Sequence, residues 1–179
     1  MRVGDQGPPI GLRSLRGAPV AVPRDSERLM HLQFRRFAGC PICNLHLRSV
    51  ARRIDEITAA KIMEVAVFHS EAATMAPYQG DLPFEVVADP EKVLYRAYGV
   101  EASVRSLLHP RAWVAFARGV VASHPSGSMT GEGGHVGLPA DFLLDGTGRV
   151  LALKYGEHAD DQWSVDEILE HARDARSSG

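Results

Sequence analysis

Cysteine is scarce: the 179 residues contain two, Cys40 and Cys43. A small secreted fold held by disulfides carries more cysteines at wider spacing, so a disulfide-stapled framework is excluded. Lysine is scarcer relative to its usual share, with 3 residues against 17 arginines. The arginines are spread along the chain and the formal net charge is -2, so there is no basic field for nucleic acid. No apolar run approaches the ~20 residues of a membrane helix. Met1 to Gly11 is polar and rich in Gly and Pro, without the apolar centre of a signal peptide. These absences set the expectation of a cytoplasmic protein with neither nucleic-acid nor membrane partners. There is no internal repeat and no low-complexity segment, and no motif implies an organic cofactor.

What is present fits one globular domain spanning residues 1–179. Hydrophobic residues make up 45% and charged residues 23%, and the length suffices for a sizeable core. Residues 1–26 hold eight Gly and Pro and read as an entry segment whose strands are short. Leu29 to Phe37 reads as the first good strand, with Met30, Leu32 and Phe34 on one face. A helix follows from about Pro41 to Ile57, carrying the apolar stripe Cys43, Leu47, Val50, Ile54 and Ile57. Ile62 to Phe68 suits a strand buried on both faces. A helix over Ala72 to Gln79, a strand over Phe84 to Ala88 and a helix from Asp89-Pro90 to Gly99 come next. Ser103 to Arg118 is expected to be helical with an interruption at Pro110, and Ser123 to Gly137 to be a loop. Ala140 to Leu144 and Val150 to Tyr155 flank the hairpin turn Asp145-Gly146-Thr147-Gly148. Ser164 and Glu167 form a capping box that opens a last helix. The alternation is that of an α/β protein.

Cys40-Pro41-Ile42-Cys43 carries the chemistry. Cys40 ends the loop after a strand and opens a helix, where free N–H groups and the helix dipole favour a thiolate. Cys43 lies nearly one turn on, within reach of Cys40, and on the apolar stripe. The expected arrangement is an exposed, low-pKa Cys40 with a sheltered resolving Cys43, as reversible dithiol chemistry requires. Two alternatives stay open at this stage: a pair of inert buried cysteines, and a zinc site in which His46 extends the motif to C-x-x-C-x-x-H.

The stretch Phe34-Arg35-Arg36-Phe37-Ala38-Gly39-Cys40-Pro41-Ile42-Cys43 resembles the peroxiredoxin-like branch of the alkyl hydroperoxide reductase and thiol-specific antioxidant superfamily. So do Asp89-Pro90 with Tyr98-Gly99-Val100, and Phe142-Leu143-Leu144-Asp145 with Gly148-Arg149-Val150. The resemblance runs from about residue 4 to residue 173. It implies a thioredoxin fold: a mixed central sheet flanked by helices, with an N-terminal extension (1–26) and an insertion (103–137) before the final hairpin. By the same resemblance Cys40 is the peroxidatic cysteine and Cys43 a resolving one. In such a fold Pro139, at the start of a strand, is expected to face the C-x-x-C through a cis bond.

The sequence also departs from the family pattern P-x-x-x-T-x-x-C: Gln33 stands at the Pro position and Phe37 at the Thr position. Pro139-Ala140 occupies the stretch where an arginine usually precedes the Phe-Leu-Leu-Asp strand. Arg35 and Arg36, just before the motif, are candidates to stabilise a thiolate or a developing oxygen charge, beside an ordinary structural role. His69 closes the strand neighbouring the one that leads to Cys40, so it is a candidate proton shuttle or a structural histidine. Trp113 and Phe116 are expected to pack in the core, with an active-site cap or a homodimer contact as the alternative. The leading expectation is a thiol-dependent redox enzyme acting on peroxides and reset by a thioredoxin-like or small-thiol reductant. The alternatives are a dithiol oxidoreductase acting on protein disulfides and a non-catalytic module binding a partner through residues 103–137.

Overall fold

The computed structural model describes residues 1–22, 27–100, 138–158 and 160–177. The expected helix at 103–118, the loop at 123–137, and the roles suggested for Trp113 and Phe116 lie outside these residues.

Two strands open the chain, β1 (Ile10–Arg13) and β2 (Pro19–Val22), paired antiparallel as a short hairpin. Then follow β3 (Leu29–Phe34), α1 (Pro41–Arg52), α2 (Ile54–Ala59), β4 (Ile62–Phe68), α3 (Ala72–Gln79), β5 (Glu85–Ala88) and α4 (Val93–Ala97). The chain closes with β6 (Ala140–Leu144), β7 (Val150–Tyr155) and α5 (Val165–Ser177). Five strands form one sheet in the order β5-β4-β3-β6-β7. The β3–β4 and β4–β5 pairs are parallel, and the β3–β6 and β6–β7 pairs are antiparallel. This is the mixed α/β sheet of a thioredoxin fold, with β3 at its centre.

Each face of the sheet carries its own core. Met30, Leu32 and Phe34 of β3 join Val65, Val67, Phe142 and Leu144 against Leu94, Tyr95, Tyr98 and the β1–β2 hairpin. On the opposite face Leu29, Ala66, Phe68 and Leu143 pack against Leu47 and Val50 of α1, Ile57 of α2 and Ile168 of α5. The strand period of two assigns the faces. It also sends His31 and Gln33 to the second face, where both are fully buried.

Three elements have other bounds than the sequence predicts. The first strand stops at Phe34 instead of Phe37, because the chain leaves the sheet to form a turn in which Cys40 N–H donates to Phe37 O at 3.0 Å. The helix expected to run to Ile57 breaks at Arg53 (φ -115°, ψ 21°). The Arg53 N–H bonds back three residues, to Val50 O at 3.0 Å. The guanidinium then bridges Glu56 of α2 and Asp166 of α5. Helix α2 starts afresh and buries Ile57 completely. The helix expected to start at Asp89-Pro90 begins instead at Val93, after Lys92 turns the chain at φ 56°, while the Ser164–Glu167 box forms as expected. Asp89 carboxylate oxygens accept from Val93 N–H and Leu94 N–H, both at 2.8 Å, and Ser164 and Glu167 bond reciprocally. Gly148 holds φ +90° in the β6–β7 turn, and an added Cβ would lie 2.6 Å from Val22 Cγ1.

Candidate active site

Cys40 is the N-cap of α1, in extended conformation, with Pro41 at the first helical position. Its Sγ lies 2.9 Å from Cys43 Sγ and accepts from Cys43 N–H at 3.5 Å. Both thiols are free, and each residue is 1% exposed. The expected contrast between an exposed Cys40 and a sheltered Cys43 is therefore not found. The Phe37–Cys40 turn folds the first sulfur inward, so that Phe37, Ala38, Cys40, Ile42 and Cys43 share one apolar cluster.

The charge distribution also differs from expectation. The Cys40 thiol is pushed well above the ordinary range by its hydrogen bond with Cys43 and by burial. Cys43 is lowered to about 7: burial opposes its charge and is outweighed by the hydrogen bond from Cys40, the Arg36 charge and main-chain N–H, and the Arg35 charge. The two sulfurs share one proton over 2.9 Å, and it can sit on either. With the proton on Cys40, the anion rests on Cys43, beside the arginines. With it on Cys43, the Cys40 thiolate receives both the S–H and the Cys43 N–H at the helix start. We place the resting charge on Cys43, because two cations and a main-chain donor outweigh a single 3.5 Å contact at the helix end.

Beneath the pair runs a buried polar network. The register sets His31 opposite Glu64, and Gln33 opposite Asp141. His31 Nδ1 is 2.7 Å from Glu64 Oε1, and His31 Nε2 is 3.2 Å from Asp141 Oδ1. Gln33 Nε2 donates to Glu64 Oε1 and receives Arg35 Nε–H on its own Oε1 at 2.8 Å. Arg35, fully buried, also donates to Phe34 O at 3.1 Å and to Asp141 Oδ1 at 2.7 Å. Asp141 Oδ2 receives the Trp163 N–H at 3.2 Å. His31 is raised to about 9: burial works against its charge, and Glu64 and Asp141 outweigh burial. Asp141 is held well below the carboxylate range by Arg35 and His31, again against burial. Two cations and two anions thus neutralise one another inside the protein, as buried charges require.

His46, half-buried one turn beyond Cys43, points its Nε2 at Arg35, 3.3 Å away. Burial and the Arg35 charge hold it neutral, at about 3. It therefore serves as an acceptor for Arg35. Among the described residues no group of three His, Cys, Asp or Glu side chains could hold a metal ion. Arg36 is 5% exposed, with its guanidinium 5.6 Å from the centre of the Phe37 ring. His69, at the end of β4, sets its ring edge-on to Tyr95 at 5.7 Å. The Tyr95 hydroxyl is shared between Arg35 O and Val67 O, tying the ends of β3 and β4 together. Pro139 is buried at the start of β6, where its carbonyl receives Gly156 N–H at 2.9 Å. In the sequence Gln33 stands out only as a departure from the family pattern, and His31, Glu64 and Asp141 are not singled out. For His31 and Gln33 the signal is the polar alternation His31-x-Gln33 inside a central strand, continued by Arg35 just past its end.

A close dithiol at a helix start, on a five-stranded mixed sheet, defines a thioredoxin-fold redox protein. Residues 3–152 match the AhpC/TSA family, and the chain belongs to that family. The reduced 2-Cys peroxiredoxin of Plasmodium vivax has a similar structure (TM-score 0.70, 14% identity, 99% of this chain and 98% of that one). The peroxidoxin BcpB of Mycobacterium tuberculosis is similar too (TM-score 0.67, 14% identity, 99% and 97%). So is a putative thiol:disulfide interchange protein DsbE from Chlorobium tepidum (TM-score 0.63, 20% identity, 96% and 99%). No curated protein matches the sequence. The family and the fold make the protein an oxidoreductase acting through thiols.

Proposed function

We propose that the protein reduces peroxides through Cys40, with Cys43 as the resolving thiol. The observation that carries this reading is the 2.9 Å separation of the two sulfurs at the start of α1. Transfer of the shared proton to Cys43 generates the Cys40 thiolate. That thiolate attacks the terminal oxygen of a hydroperoxide, the O–O bond breaks, and an alcohol or water leaves after taking up a proton. Cys40 is then a sulfenic acid. Cys43, released from its shared proton and lowered by Arg36 and Arg35, attacks the Cys40 sulfur and expels hydroxide, which leaves as water. Two electrons from a thiol reductant reopen the disulfide. The low exposure of both sulfurs favours a small oxidant over a folded protein disulfide. We place this cycle in the cytoplasm, where such reductants are abundant.

Disulfide exchange is the second reading, favoured by Phe37 and Pro139-Ala140 at positions where donors to a peroxide would stand. One lost donor in a preorganised site costs about 3 kcal/mol, or roughly a hundredfold in rate. The test gives the reduced enzyme hydrogen peroxide, an organic hydroperoxide and a model protein disulfide, and compares second-order rates. The proposal expects peroxide reduction well above that of free cysteine. A peroxide rate equal to free cysteine with efficient disulfide reduction would transfer the assignment to the second reading.

A further inference from the structure

One residue next to the dithiol has both of its main-chain polar groups held by side chains. Ala38 stands two residues before Cys40, inside the turn closed by Cys40 N–H and Phe37 O. Its N–H donates to Ser70 Oγ at 3.1 Å. Its carbonyl accepts from Gln79 Nε2 at 2.8 Å and from Asn44 Nδ2 at 3.2 Å. Gln79 Nε2 also donates to Asn44 Oδ1 at 2.7 Å, which links the donors to each other. The three side chains come from three elements: Ser70 follows β4, Gln79 ends α3, and Asn44 lies in the first turn of α1 beside Cys43.

Gln79 is 1% exposed, and its Oε1 has no hydrogen-bond partner among the described residues. Stranding an acceptor in the interior is unfavourable. A leucine would fill much the same space without that cost, so packing does not call for an amide here. What the amide supplies, and leucine cannot, is the pair of N–H bonds to Ala38 and Asn44.

We propose that Gln79, with Ser70 and Asn44, is a positioning residue that fixes the Phe37–Cys40 turn and so holds the Cys40 sulfur within bonding reach of Cys43. The inference rests on the dithiol reading above. Its consequence is a high effective concentration of one sulfur at the other, which favours the intramolecular disulfide. Loosening the turn spreads the Cys40 sulfur over more positions and lowers that concentration.

The test equilibrates wild type, Gln79→Leu, Ser70→Thr and Ser70→Val with glutathione redox buffers. It reads the Cys40–Cys43 potential and the rate of ring closure from the glutathione mixed disulfide. Gln79→Leu is expected to lower the equilibrium constant for disulfide formation about tenfold, which is a rise of about 30 mV in potential. Its melting temperature should stay near that of wild type, a separation a merely structural residue would not give. Threonine and valine have the same shape at position 70, so their difference isolates the hydroxyl. Ser70→Thr should keep the wild-type potential, and Ser70→Val should shift it. Equal potentials and closure rates in wild type and Gln79→Leu would overturn the proposal, as would identical behaviour of the two position-70 variants. Failure of wild type itself to form an intramolecular disulfide would instead refute the dithiol reading, and the proposal with it.

Discussion

Asp141→Asn tests the buried network most directly. Asp141 is the shared anion: Arg35 lies 2.7 Å from its Oδ1 and His31 Nε2 lies 3.2 Å from it. The substitution keeps the shape but leaves two buried cations facing Glu64 alone. Removing one partner of a buried ion pair costs roughly 3–5 kcal/mol. In a 179-residue chain that lowers the melting temperature by roughly 6–20 °C.

The same change must alter the pH dependence of stability. His31 rises from 6.5 unfolded to about 9 folded. Its contribution is therefore complete below pH 6.5 and is lost as pH rises through 9, at a cost of about 3 kcal/mol. Cys43 works the other way. Its folded value of about 7 lies below the unfolded 9, so its contribution is present above pH 9 and is lost as pH falls through 7. The two windows overlap and oppose each other. Urea denaturation should accordingly be run in a Cys40→Ser, Cys43→Ser background, at intervals from pH 6 to pH 9.5. In that background stability should fall with rising pH. Adding Asp141→Asn should flatten the fall, because His31 keeps only Glu64. Equal slopes with and without Asp141, or a loss below about 1 kcal/mol, would refute a charge-balanced network.

Three further outcomes are expected. Thiolate absorbance of the reduced protein should rise with a midpoint near pH 7 and account for one sulfur, and Arg36→Gln should move that midpoint upward; two thiolates titrating together would refute proton sharing. In single turnover with peroxide, Cys40→Ser should be inert, while Cys43→Ser should react once and accumulate a sulfenic acid detectable by dimedone and mass spectrometry; the reverse pattern would exchange the roles. Gly148→Ala should cost more than ~1 kcal/mol in chemical denaturation, because it forces a Cβ against Val22 at a positive φ; a neutral result would show that the β6–β7 turn relaxes freely.

The sheet was largely legible in the sequence because its signals are local. Val65 and Val67 in an apolar run, the Asp-Gly-Thr-Gly turn, and Ser164 with Glu167 each dictate structure within a few residues. The Cys40–Cys43 pair was legible for the same reason, since spacing alone puts one sulfur near the other. Exposure was not. Whether Cys40 faces water depends on Phe37 and Ala38 folding over it, and that in turn depends on Ser70 and Gln79, which are 32 and 41 residues from Ala38 along the chain. The ion network was hidden more deeply. His31, Glu64 and Asp141 look like surface residues one at a time; only the pairing of β3 with β4 and β6 shows that one neutralises another.

That network changes what the two arginines before the motif can do. An arginine in solution would be screened and mobile, and its effect on a sulfur would be small. Arg35 is neither: Gln33, Phe34 O, Asp141 and His46 hold its guanidinium from four sides with no exposure to water. Its charge is offset by Asp141, so what reaches Cys43 is the remainder of a fixed dipole in a low-dielectric interior. Arg36 adds a main-chain N–H and a second cation at the same sulfur. The arrangement favours a negative charge on Cys43 both before and after Cys40 reacts. The attacking thiolate is then made by passing one proton across the pair, and the resolving thiolate is already in place when the sulfenic acid forms. The central strand's polar face is thus the electrostatic half of the dithiol, and the Ala38 clamp is its geometric half.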